Sequence, residues 1–144
     1  MHTFTVRQVT WCEAHDALSF VRRKVFIEEQ LVPEEMEWEH ADRDALHVLA
    51  EDELKRPIGC GRLLTQEGRI GRMAVLNEWR GHGVGSAMLK ALMTAAQNTS
   101  LQRLELHAQT QALAFYQRFD FEAYGEEFEE AGIKHYSMRK VMVL

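Results

Sequence analysis

Gly81, Gly83 and Gly85 fall within five residues, between an apolar run at 72–76 (RMAVL) and a segment where Val84, Met88, Leu89, Leu92 and Ala95 recur at helical spacing. A second strand pattern, LQRLELHAQ at 101–109, follows. A strand, turn, helix and strand in that order imply parallel strands joined by a right-handed crossover, so the centre of the chain has little topological freedom. Glycine has no Cβ, adopts positive φ cheaply and lets a ligand approach the backbone. A helix opening from such a turn presents unpaired N–H groups, to which the helix dipole adds positive potential. Together these make an anion site, most often for phosphate. The register is wrong for a dinucleotide fingerprint, which would need glycine at position 86, where Ser86 stands, and no lysine follows in P-loop position.

The remainder is organised around this unit. Residues 3–9 alternate as a strand, and residues 13–30 read as a helix with Leu18, Val21 and Val25 on one face. Residues 31–45 form a loop opened by Pro33. Residues 46–51, 58–64 and 69–76 read as strands of an antiparallel meander. The central helix is expected to end near Gln97, a short helix to span 113–119, and two last strands to cover 121–124 and 135–143 around a loop. The order is β-α-β-β-β-α-β-α-β-β, an α/β (α+β) arrangement on one mixed sheet.

Composition narrows the function classes. With 144 residues, 46% hydrophobic and 27% charged, the chain fits one domain, 1–144, with a proper core. No apolar run is long enough to span a membrane, and MHTFTVRQVTW has no signal-peptide core. Cys12 and Cys60 are too few and too far apart for a disulfide framework, so a cytoplasmic protein with reduced thiols is expected. A net charge of −5 argues against general nucleic-acid binding.

RGHGVG resembles the [Q/R]-x-x-G-x-[G/A] signature of the GNAT acetyltransferases, with Arg80, Gly83 and Gly85 in the matching places. RMAVLNEW resembles that family's fourth strand, and ALAFYQRFDF its A-x-x-F-Y-x-x-x-G-F segment. More narrowly, VFIEEQ, HAQ, FYQRF and EEAGIKHYSM resemble the ElaA-type branch. The resemblance implies a GNAT fold, with a mostly antiparallel twisted sheet flanked by helices, and acetyl-CoA as cosubstrate. It assigns the pyrophosphate to the loop of Arg80, Gly81, His82, Gly83, Val84, Gly85 and Ser86. It assigns the pantetheine arm to the backbone of Met73, Ala74 and Val75 on a bulged strand, since a bulge leaves donors that a ligand amide can satisfy. Two positions depart from the pattern. Asp120 replaces the usual glycine before Phe121, and Gln109, Thr110 and Gln111 stand where an asparagine is often found. Asp120 is expected at positive φ, which aspartate tolerates better than most residues.

Acyl transfer to an amine moves two protons. A lysine-type amine, with a pKa of about 10.4 in water, must lose one before attack, and the leaving thiolate benefits from a donor. The resemblance gives the donor role to Tyr116. For the base, His107 lies near the expected parting of the fourth and fifth strands and has a suitable pKa range. Glu29, His135 and a water relay to a carboxylate are alternatives. Cys12 and Cys60 lie outside the motifs, which argues against an acyl-cysteine route. His40 and His47 lack metal-ligand spacing, and no metal is expected.

Between Glu28 and Asp44 stand eight acids, Glu28, Glu29, Glu34, Glu35, Glu37, Glu39, Asp42 and Asp44, against Arg43. In the fold that the resemblance implies, this segment borders the acceptor side and would draw a cationic amine; the other reading of these charges is a solvated loop. The expected partners are therefore acetyl-CoA and an amine acceptor, with no nucleic acid and no membrane; a homodimer stays open. The reading is an N-acetyltransferase acting by direct attack in a ternary complex. The alternative is a non-catalytic acyl-CoA-binding or regulatory module, which needs the glycine loop but neither Tyr116 nor a base.

Overall fold

The computed structural model describes residues 3–142. Strand β1 (Phe4–Val9) leads into helix α1 (Trp11–Arg22). The helix starts two residues before the expected Glu13 because Thr10 and Glu13 form a capping box: Glu13 N donates to Thr10 Oγ1 at 3.1 Å and Thr10 N to Glu13 Oε1 at 2.8 Å. Leu18, Val21 and Arg22 form its buried stripe. From Arg23 to Glu29 the helix widens into a π-helix, so the expected helix to Gln30 is continuous but not uniformly α. The expected loop at 31–45 contains a short helix α2 (Glu34–Glu37) and a 3₁₀ turn, His40–Arg43.

The meander forms as expected from β2 (Leu46–Asp52), β3 (Pro57–Leu64) and β4 (Arg69–Val75). Helix α3 (Val84–Gln97), β5 (Arg103–Gln109), α4 (Leu113–Gln117), β6 (Glu122–Glu130) and β7 (Ile133–Val141) complete the chain; Val143, in the expected last strand, lies outside the described residues. The seven-stranded sheet runs β1-β2-β3-β4-β5-β7-β6, parallel between β4 and β5 and antiparallel elsewhere.

Strand β6 corrects the sequence reading. Residues 125–130, expected in a loop, belong to this strand: Phe128, Glu129 and Glu130 pair with β7 after a register shift that begins past Tyr124, with Gly125 at φ 74°. Their four glutamates, Glu126, Glu127, Glu129 and Glu130, carry no strand signal. The strand lies at the sheet edge, where charged side chains remain solvated and cross-strand pairing outweighs propensity.

The core has two layers. Val48, Ala50, Ile58, Leu63 and Leu106 pack with Met88, Leu89 and Leu92 of α3 on one face. Leu49, Cys60 and Ala74 pack with Leu18 and Val21 of α1 on the other. Both faces of the central strands are thus covered, which explains why β2 and β3 are almost continuously buried.

The junction that starts the crossover is tight. Glu105 N donates to Gly68 O at 2.8 Å, joining the β3–β4 turn to β5. Gly68 has φ 70°, and a Cβ there would stand 2.6 Å from the Arg103 carbonyl oxygen, a backbone atom that cannot swing away. We expect Gly68→Ala to lower stability by about 2 kcal/mol or more, the sum of a left-handed conformation and overpacking, measured as a fall in the denaturant midpoint at unchanged slope.

Candidate active site

Strand β4 parts from β5 almost as soon as they meet. Their pairing covers Arg69↔Glu105 and Ile70↔Leu106 and then stops. On its other edge, β4 pairs Gly71 with Arg62 and Ala74 with Cys60, so Arg72 and Met73 together face Gly61. This is a bulge, and Arg72 adopts φ 53° within it. The bulge re-aims the strand, and beyond Ile70 the β5-facing edge of β4, which carries Met73, Ala74 and Val75, has no strand partner. A cavity of about 420 Å³ opens at the parting. Gly71 and Met73 line it from β4, His107 and Gln109 from β5, Tyr116 from α4, and Glu130 and His135 from the β6–β7 hairpin.

The glycine loop lies at the far end of β4. Gly81 and Gly83 take φ 81° and 84°, and a Cβ on either would meet nothing within 4 Å. Gly83 caps α3 without a side-chain hydrogen bond, and the helix ladder begins with Ala87 N donating to Gly83 O at 3.0 Å. The N–H groups of Val84, Gly85 and Ser86 at the start of the helix therefore have no capping side chain from Gly83. This cradle fits a phosphate group. Gly85 has a different role: a Cβ there would stand 3.5 Å from Phe115, so the small residue lets α3 approach α4.

Arg80 turns away from the helix terminus. Nη1 and Nη2 each bind a Glu29 carboxylate oxygen at 2.7 Å, and Nε donates to Val75 O at 3.0 Å. This fork ties the loop to the π-helix. The hydrogen bonds from Arg80 hold the Glu29 carboxyl below its ordinary range, which weakens it as a base. Glu29 lines a smaller cavity with Phe20 and Leu76, and is absent from the one lined by Tyr116 and His107.

Tyr116 is buried, and burial pushes its hydroxyl pKa up to about 12. It therefore stays protonated at neutral pH. His107 places Nδ1 3.0 Å from Glu130 Oε2 and sets its ring edge-on to Phe128 at 5.0 Å. An ionised carboxylate only accepts, so Nδ1 carries the proton and Nε2 of the neutral ring is left as an acceptor. In His135, Nδ1 donates to Ile133 O at 2.7 Å, and the ring stacks on Phe128 at 5.8 Å. Glu130 was not legible as a site residue, because it lies in the acidic run read as a loop. Asp120 has φ 68°, as its replacement of glycine implied.

An arginine network forms the opposite wall. Arg22, 1% exposed, donates to Glu37 Oε2 and Asp42 Oδ1 at 2.8 Å and to Glu37 O at 2.7 Å. Arg62 Nη1 binds Asp42 Oδ1 at 2.8 Å and Glu39 Oε1 at 2.9 Å. Arg72 reaches Glu37 O and Glu39 Oε1, each at 3.0 Å. Trp11 and Trp38 lie 5.4 and 5.2 Å from the Arg22 guanidinium. Outside the network, Glu34 pairs with Arg23 and Glu28 with Lys24. Of the acidic segment expected to draw a cationic acceptor, Glu37, Glu39 and Asp42 are thus paired with arginines from α1, β3 and β4. Their sequence signal was an arginine in each of three otherwise apolar contexts, the α1 stripe, IGCGRLL and RMAVL.

Among the described residues, no group of three or more His, Cys, Asp or Glu side chains is placed to hold a metal, and no helix is long and apolar enough to cross a membrane. Burial pushes the Cys60 thiol up to about 12, so it stays protonated.

Residues 6–142 match the family model described as Acetyltransferase (GNAT) domain. The chain belongs to the GNAT acetyltransferase family. The uncharacterized N-acetyltransferase YjcF of Bacillus subtilis is 37% identical over 124 residues, covering 84% of this chain and 88% of that protein. Escherichia coli ElaA superposes with a TM-score of 0.84 at 26% identity, covering 96% of this chain and 99% of ElaA. An acyl-CoA N-acyltransferase from Pseudomonas aeruginosa does so with 0.78 at 28% identity, covering 97% and 99%. The family makes this chain a transferase with an acyl-CoA cosubstrate.

The arginine network that builds this wall is sensitive to acid. Burial alone would raise the Asp42 carboxyl, but Arg22 and Arg62 outweigh it and hold the pKa at about 2. Its stabilisation is fully present above the ordinary aspartate range and is lost as pH falls towards 2. Burial raises the Glu37 carboxyl instead, which opposes part of that loss. We expect Asp42→Asn to cost about 3–5 kcal/mol at neutral pH, as when one partner of a buried pair is removed. The variant should also show a flatter fall in stability below about pH 4, both read from denaturant titrations across pH.

Proposed function

We propose that the protein transfers the acetyl group of acetyl-CoA to a primary amine by direct attack within a ternary complex. The observation that carries this reading is the convergence at one cavity of an unpaired β4 edge, a protonated buried tyrosine and a carboxylate-held histidine. Acetyl-CoA supplies the activated acyl group. The loop of Arg80, Gly81, His82, Gly83, Val84, Gly85 and Ser86 would hold its pyrophosphate through backbone N–H groups at the uncapped start of α3. The backbone of Met73, Ala74 and Val75 would receive the pantetheine amides as an added strand.

On the acceptor side, His107 Nε2 takes the amine proton while Glu130 stabilises the imidazolium that forms. His135 lines the same cavity and is the rival base. Tyr116, whose buried hydroxyl keeps its proton, donates to the departing sulfur. The apolar wall from Phe26, Val32 and Ile70 limits water access to the thioester.

Two experiments test this function. Gly83→Asp puts a carboxylate where the pyrophosphate would sit, whereas Gly83→Asn imposes the same φ demand without charge. Calorimetric titration with acetyl-CoA should show Gly83→Asp binding at least about tenfold more weakly than Gly83→Asn, since each 1.4 kcal/mol is a factor of ten; equal affinities would place the anion elsewhere.

Tyr116→Phe removes one hydroxyl and little packing. Turnover should drop roughly 10²–10⁴-fold, the range of general acid catalysis, with acetyl-CoA affinity nearly constant. His107→Gln should produce a comparable loss. Full activity in Tyr116→Phe would end the donor role, and full activity in His107→Gln would pass the base role to His135.

A further inference from the structure

The cavity beside His107 holds charges of both signs, but they are not equally committed. Its carboxylates are occupied. Glu37 Oε2 lies 2.8 Å from Arg22 Nε and 3.1 Å from Arg72 Nε. Glu39 Oε1 lies 2.9 Å from Arg62 Nη1 and 3.0 Å from Arg72 Nη2. Glu130 Oε2 holds His107 Nδ1.

The cations retain capacity. Arg69 is exposed on the cavity wall and makes no ion pair or hydrogen bond through its side chain among the described residues. Arg62 is only 4% exposed and spends Nη1 on Asp42 and Glu39. Its Nε is buried without an acceptor, and Nη2 has none among the described residues. Nε–H and one Nη2–H lie side by side on a single edge of the guanidinium, the edge that takes both oxygens of a carboxylate. A buried donor without an acceptor is costly, and an incoming oxygen would relieve it.

Space remains beside Nη2, while Nε itself is buried. Arg62 Nη2 lies 3.8 Å from where a Cβ on Gly71 would stand, and that position has no other neighbour within 4 Å beyond the adjoining residues. Arg62 is opposite Gly71 in the sheet, while His107 follows Leu106, the partner of Ile70. The arginine edge and the histidine therefore flank the first unpaired position of β4.

We propose that the acceptor carries a carboxylate near its amine, and that Arg62 receives this carboxylate while Arg69 attracts it. The acceptor class is thus short amino-carboxylates, such as free amino acids, whereas the acidic segment by itself suggested only a cationic amine. This rests on the acetyl-transfer reading and deepens it.

The test pairs each α-amino acid, β-alanine and 4-aminobutanoate with its amide, following CoA thiol release at saturating acetyl-CoA. The best acid should exceed its amide by about tenfold or more in kcat/KM, as for a charge-assisted bidentate contact. Arg62→Lys keeps a cation for Asp42 and Glu39 but lacks the two-donor edge, and should cut that preference about tenfold. Arg69→Gln should cut it about threefold, less at high salt. Where Arg62→Lys does not melt cooperatively, Arg69→Gln alone decides. An amide accepted as well as its acid overturns the proposal, as does a preference that the folded variants leave unmoved. A second readout is calorimetric binding of the N-acetyl acid and the N-acetyl amide in the presence of CoA. Acid-selective binding without turnover of any pair would uphold the carboxylate site and sink the transfer reading; indifferent binding would sink the carboxylate site.

Discussion

The parting of β4 from β5 is the constraint on which the rest of the site depends. Two parallel strands that stayed paired to their ends would leave no free edge and no cavity. Here the ladder stops after Ile70 and Leu106, and the bulge at Arg72 and Met73 turns the remainder of β4 aside. The backbone groups released by that divergence need partners, and a ligand with amides of its own can provide them. The same divergence separates the glycine loop, at the end of β4, from His107, near the end of β5. The two functions of the site therefore stand on opposite sides of one structural gap.

A gap in a sheet needs a wall, and the arginine network provides it. Residues 31–45 contain little regular structure and few apolar side chains, so hydrophobic burial cannot hold them against the sheet. Arg22, Arg62 and Arg72 do so by binding Glu37, Glu39 and Asp42 side chains together with the Met36 and Glu37 carbonyls. Buried ions are expensive to desolvate, and such networks are stable only when nearly every donor is satisfied. The exception, the Nε and Nη2 edge of Arg62, lies on the cavity side, and an exception at that place is informative.

The two candidate proton-transfer groups are tuned by different means. Tyr116 keeps its proton because burial disfavours a phenolate. His107 has its tautomer set by Glu130, a residue on the neighbouring hairpin. The edge strand β6 thus contributes chemistry despite its solvated face, and the pairing with β7 that carries Glu130 to the cavity mouth is what makes the histidine a plausible acceptor of a proton. Glu29, by contrast, is taken out of consideration by Arg80.

The sequence by itself determined the order of elements, the crossover around the glycine loop, the positive φ of Asp120 and the family. Each of these follows from local signals: hydrophobic period, the absence of a Cβ, and motif spacing. It did not reveal the strand character of residues 125–130, because four glutamates beside a glycine carry no strand propensity and pair only when β7 offers an edge. Nor could it show which acids remain uncompensated. The eight carboxylates between Glu28 and Asp44 are local in the chain, whereas the arginines that bind Glu29, Glu37, Glu39 and Asp42 come from α1, β3, β4 and the glycine loop. Charge balance is a property of space, decided by which side chains the fold brings within hydrogen-bond reach, and only the tertiary structure showed that Glu37, Glu39 and Asp42 are bound by arginines while Arg69 and one edge of Arg62 have no acceptor among the described residues.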